Sequence, residues 1–123
     1  MVVLTYLGQN HRNNSKGLLF TAKLSGNYGV NGVGDPLNFT PKAIKDPKFA
    51  YDLVVDTAPE SIGILNANLG GSYGAILPNA NPSLTNFGLL IYEPGGAEKA
   101  TNAAYTAAEL AGTLTLEVFL ALQ

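Results

Sequence analysis

Thr113-Leu114-Thr115-Leu116-Glu117-Val118-Phe119-Leu120-Ala121-Leu122-Gln123 decides the fold of this chain. Leu114, Leu116, Val118, Leu120 and Leu122 fall on every second position, with Thr113, Thr115 and Glu117 between them. A period of two places the five aliphatic side chains on one face of a strand. A strand of that kind needs a second layer to cover it, so the stretch predicts a sheet sandwich. Its other face turns apolar at Phe119 and Ala121. A neighbouring subunit or the long loops of the same domain could cover that end.

Working back from this strand, the same alternation recurs. Val2 to Leu7 reads as a short strand, and Leu18, Phe20, Ala22 and Leu24 alternate with Leu19, Thr21 and Lys23. Phe49, Tyr51, Leu53 and Val55 oppose Asp52 and Asp56, and Phe87, Leu89 and Ile91 repeat the pattern up to Pro94. Ser61 to Leu69 and Ser72 to Leu77 are two apolar runs split by Gly70-Gly71. Asn31-Gly32 suits a type I′ hairpin turn between short arms, whereas Gly8 to Gly17, full of polar turn formers, reads as a loop. Ala97 to Ala111 fits neither period, and we assign it as extended or irregular with one helical turn. About eight strands with turn signals every eight to twelve residues predict an all-β antiparallel β-sandwich, jelly-roll-like, formed as a single domain over residues 1–123.

At 123 residues the chain can bury one core without staples. It has no cysteine, so neither disulfides nor thiolate metal sites contribute. Charged residues make up 13% of the sequence, against a usual share of about 25%. They are unevenly placed. Arg12, Lys16, Lys23, Lys42, Lys45 and Lys48 outnumber Asp35 and Asp46 in the first part, whereas Lys99 stands alone against Asp52, Asp56, Glu60, Glu93, Glu98, Glu109 and Glu117 in the rest. Such polarity can orient a domain on a partner. The net charge of −2 argues against nucleic acid. No run approaches the roughly 18 apolar residues of a membrane helix, and Val2 to Leu7 lacks the basic start of a signal peptide. The expectation is a protein that is not exported by the ordinary route.

Reactive constellations are sparse. His11 is the only histidine and sits among polar residues without a partnered nucleophile. Asp52 and Asp56 would lie on one strand face roughly 13 Å apart, too far for either glycosidase geometry. The glycine-rich stretches Gly26 to Gly34 and Gly70 to Gly74 lack the Lys-Ser/Thr and helix of a phosphate loop. We therefore expect no enzyme activity, no cofactor and no metal site.

Ser25-Gly26-Asn27-Tyr28, Gly34-Asp35-Pro36-Leu37-Asn38-Phe39-Thr40, Glu98, Tyr105-Thr106-Ala107-Ala108 and the closing Gly112 to Val118 together resemble small structural proteins of tailed bacteriophages. The resemblance implies a β-rich, jelly-roll-like virion component that cements or decorates the capsid, often as a trimer. It implies the major capsid protein as partner and a place on the capsid exterior after assembly in the host cytoplasm. Under it, the basic segments Gly8 to Gly17 and Pro41 to Lys48, with Arg12, Lys16, Lys42, Lys45 and Lys48, would meet the shell, and Phe119 and Ala121 would lie at a subunit contact. The segment around His11 departs from the family pattern, which has a shorter start. A carbohydrate-binding or tail-associated adhesin module is the alternative, and it requires exposed tyrosines in a row among Tyr6, Tyr28, Tyr51, Tyr73, Tyr92 and Tyr105.

Overall fold

The computed structural model describes residues 1–12, 15–45, 58–78 and 80–121. Among the described residues, strands β1 (Val2–Arg12), β2 (Ser15–Leu24), β3 (Asp35–Leu37), β4 (Ser61–Asn68), β5 (Tyr73–Ile76), β6 (Phe87–Tyr92) and β7 (Thr113–Ala121) are accompanied by one short helix, α1 (Ala107–Ala111). They form two antiparallel sheets, of order β1-β2-β7-β4 and β3-β6-β5. The protein is all-β, as the alternation predicts. Phe49 to Val55, the further strand expected from the sequence, lies outside the described residues.

β7 is central in the larger sheet, paired with β2 on one side and β4 on the other. Its stripe of Leu114, Leu116, Val118 and Leu120 is no more than 1% exposed. The register aligns Leu18 with Val118, Phe20 with Leu116 and Ala22 with Leu114, so neighbouring strands present their apolar residues to the same side. Leu37, Phe87, Leu89 and Ile91 of the smaller sheet close over them in one core. Edge-to-face rings run through it, from Tyr6 to Phe20 at 5.7 Å, Phe20 to Phe39 at 5.6 Å and Phe39 to Phe87 at 6.4 Å. That geometry joins the two layers.

Three expectations need correction. Gly8 to Arg12 and Ser15 to Gly17 are strand rather than loop: β1 runs on to Arg12 and β2 begins at Ser15, with Gly8 opposite Leu19 and Arg12 opposite Ser15 beyond a bulge at Tyr6/Gly8. Backbone pairing explains this, because Ser15 to Gly17 also pair with Ala121 to Phe119, and ladder hydrogen bonds do not require apolar side chains. The Asn31-Gly32 turn is not type I′. Among its residues only Gly32 and Gly34 have positive φ, and the Val33 N–H donates to the Val30 carbonyl, the pattern of a type II turn with glycine at its third position. Finally, Glu117 does not stay on a polar face; it is buried. The single helical turn expected within residues 97–111 is present as α1, capped by Thr106 and Glu109 in a reciprocal box.

Candidate functional site

Among the described residues, a connected group of ionisable side chains is built on the segment 93–112, between β6 and β7. Lys99, 2% exposed, places its Nζ 2.9 Å from Glu109 Oε1 and 3.4 Å from Glu93 Oε1. Glu109, fully buried, also accepts from the Ser72 hydroxyl at 2.7 Å and from the Thr106 N–H at 2.8 Å. Burial alone pushes its carboxyl up, but the Thr106 N–H, the Lys99 ammonium and the Ser72 hydroxyl outweigh it and hold the group below the usual carboxylate range. The Lys99 ammonium stands 5.7 Å from the centre of the Tyr105 ring.

Two tyrosines extend the network. Tyr105 donates its hydroxyl to buried Asp35, whose Oδ2 is also 3.2 Å from the Met1 α-ammonium. Tyr28 donates to Glu98 Oε2 at 2.7 Å, and its oxygen accepts from the Ile91 N–H at 3.3 Å. Glu98 accepts in turn from the Gly32 N–H, which ties the Val30–Gly34 turn to the crossing segment. Burial, followed by hydrogen bonding to a carboxylate, pushes both phenols up, so they remain protonated donors. A buried carboxylate with three donors and a tyrosine held as a donor make a clamp, with little freedom to move a proton. Among the described residues no group of three or more His, Asp or Glu side chains could hold a metal ion.

The residues selected from sequence separate into two places. Arg12, Lys16, Phe119 and Ala121 come together at one end of the larger sheet: Arg12 is opposite Ser15, Lys16 opposite Leu120, and Ser15 opposite Ala121. The Phe119 ring is half-buried and lies over Gly63 of the neighbouring strand. Lys42 and Lys45 are exposed elsewhere. Lys45 pairs with Thr5, its N–H donating to Leu4 and its carbonyl accepting from Tyr6, so it covers the outer edge of β1 at that point. Seven residues of strand separate Thr5 from Arg12, roughly 24 Å. Lys48, Tyr51, Asp52 and Asp56 lie outside the described residues. Of the remaining tyrosines, Tyr6, Tyr28 and Tyr105 are buried in the core, while Tyr73 and Tyr92 stack on the smaller sheet with centroids 5.1 Å apart and planes at 10°.

Opposite the flank formed by β1 and β3, β4 and β5 lie side by side, with Ile64 of β4 within reach of Gly74 of β5. β4 is the outer strand of its sheet and β5 of the other. The signal was in the sequence: from Ser61 to Tyr92 there is no Asp, Glu, Lys, Arg or His, although charges border the run at Glu60 and Glu93.

Comparison with protein-family models, with curated proteins and with solved structures returned no match. Among the described residues, no helix is long and apolar enough to cross a membrane.

Proposed function

We propose that this chain is a non-enzymatic structural protein that works by adhesion, in the manner of the capsid cement or decoration proteins of tailed phages. One observation carries the reading: the buried groups Lys99, Glu109 and Asp35 are engaged within the chain, while among the described residues exposed Lys42 and Lys45 stand apart from the run 61–92, which has no charged residue. Buried groups locked into contacts within the chain serve rigidity, and a divided surface suits docking on other proteins. The partners are the major capsid protein and further copies of the chain, with a trimer as the order that the resemblance favours. The location is the capsid exterior, and a jelly-roll-like winding is part of this reading.

Arg12, Lys16, Lys42 and Lys45 steer docking more than they hold it, so their contribution falls as salt rises. The test is co-sedimentation of the purified protein with shells built from the major capsid protein, across a salt series. Saturable binding that slows with added salt and raises the temperature of shell disruption is expected. Shells that neither bind the protein nor gain stability overturn the proposal.

The stacked Tyr73–Tyr92 pair supports a second reading, a carbohydrate-binding or tail-associated adhesin module. Tyr73 is 47% exposed on the outer strand β5, and a ring face open to solvent is the kind of surface on which a sugar stacks. Binding to a glycan panel that disappears in Tyr73→Ala, with shell binding absent, would favour it over cement.

A further inference from the structure

Residues 93–112 are attached to the sheets by other means than the strands are. The larger sheet is held backbone to backbone along its ladders. The segment makes a few backbone bonds, Lys99 to Ile91, Asn102 to Gly29 and Tyr28 to Ala103, and otherwise depends on carboxyl groups. Glu98 accepts from the Tyr28 hydroxyl and the Gly32 N–H. Glu109 accepts from the Ser72 hydroxyl as well as from Lys99 and Thr106 within the segment. Asp35 on β3 accepts from the Tyr105 hydroxyl. The side-chain ties to Tyr28, Ser72 and β3 thus each end on a carboxylate, and Asn31 adds contacts to Thr101 and Lys99 from the turn alone.

From this arrangement we infer that residues 93–112 are an acid-released strap: protonation of the carboxyl anchors lets the segment lift from the sheets while the strand ladders still hold. Once the Glu109 carboxyl is neutral, the buried Lys99 ammonium keeps only the longer contact to exposed Glu93 and the face of the Tyr105 ring. Opening to water relieves a buried cation left in that state. The direction follows from linkage. Glu109 is held below its ordinary value near 4.5 while the strap is closed and regains that value when it opens, so the open form binds more protons and gains as pH falls. The titratable groups gathered about Glu109 among the described residues are Lys99, Glu93 and Tyr105 on the segment, with Asp35, Tyr28 and the Met1 ammonium behind Tyr105. Glu117, also buried, belongs to β7 and stays with the ladders. Release of one cooperative unit ahead of the whole is the ordinary behaviour of a segment held by few contacts. The strap needs no partner, so it stands apart from the cement reading.

Hydrogen exchange read by mass spectrometry on the full-length chain tests the release, with each rate divided by that of the unstructured peptide at the same pH. Between about pH 6 and about pH 3, protection of peptides within 93–112 should fall on the order of tenfold, while peptides of β2 and β7 keep theirs. Glu109→Gln keeps the shape of the side chain without its charge. Its strap should be less protected already at neutral pH and should lose less on acidification. Lys99→Met combined with Glu109→Leu removes the charged pair and should also flatten the acid response, and it serves in place of Glu109→Gln if that variant does not fold. A strap as protected as β7 down to the pH of global unfolding, a strap and ladders that lose protection together, or an acid response unchanged in the variants overturns the inference.

Discussion

Residues 61–92 and residues 93–112 follow each other along the chain and handle polarity in opposite ways. The first segment contains no charged side chain and is held by strand pairing, β4 on β7 and β5 on β6, with Phe87, Leu89 and Ile91 filling the core. The second makes one short helix and is held mainly by individual contacts: Glu98 to Tyr28, Lys99 to Glu109, Tyr105 to Asp35 and Glu109 to Ser72. Pairing spreads its stabilisation over many small, replaceable contributions. The clamp concentrates it in a few groups whose loss strands a buried charge.

That contrast predicts where the molecule breaks. Glu109→Ala leaves the Lys99 ammonium buried with the longer contact to Glu93 and the Tyr105 ring but no close carboxylate, and should cost about 3–5 kcal/mol in urea unfolding. Acid should act on the same point. The folded protein holds the Glu109 carboxyl below its ordinary value near 4.5, so its contribution is complete above that range and is lost as pH falls through the depressed folded value. Stability measured down a pH series should fall less steeply in Glu109→Ala than in the unaltered chain, and equal slopes would count against the clamp.

Leu89→Ala probes the other mode. It removes a fully buried side chain from β6 and should cost about 2–5 kcal/mol, with no change in the acid limb. Thr106→Ala removes the hydroxyl that caps α1 and should cost about 1 kcal/mol, because the Thr106 N–H still donates to Glu109. The smallest effect sharpens the comparison most. Lys99→Met combined with Glu109→Leu removes both charges at similar volume, and should cost far less than Glu109→Ala alone, near zero net. A double variant as unstable as the single one would mean that the ion pair, rather than the avoidance of an orphaned charge, stabilises this segment.

Much of the first mode was legible along the chain. Alternation at Leu18 to Leu24, at Phe87 to Ile91 and at Leu114 to Leu120 marks β2, β6 and β7, and Gly70-Gly71 marks the turn between β4 and β5. The second mode left fainter traces. Lys99 is the only cation after Lys48, which hints at a buried role, and Thr106 with Glu109 has the spacing of a capping box. Neither trace names Ser72, Asp35 or Tyr28 as partners. Gly112, just past the end of α1, has a φ of −84° that any residue adopts. What requires glycine there is the Asn68 carbonyl, which an added Cβ would strike.

Sequence alone therefore determined the all-β class, the apolar face of most strands and the sites of several turns, because period and turn chemistry are properties of neighbouring residues. Tertiary structure alone decided that β7 lies between β2 and β4, that Glu117 is buried, that β1 runs on to Arg12 and β2 starts at Ser15, and that Asp35 meets Tyr105 across 70 positions. Those outcomes depend on which backbone groups and which distant side chains arrive at the same place. Local alternation can state that a face must be covered, but the partner that covers it is chosen only when the sheets close.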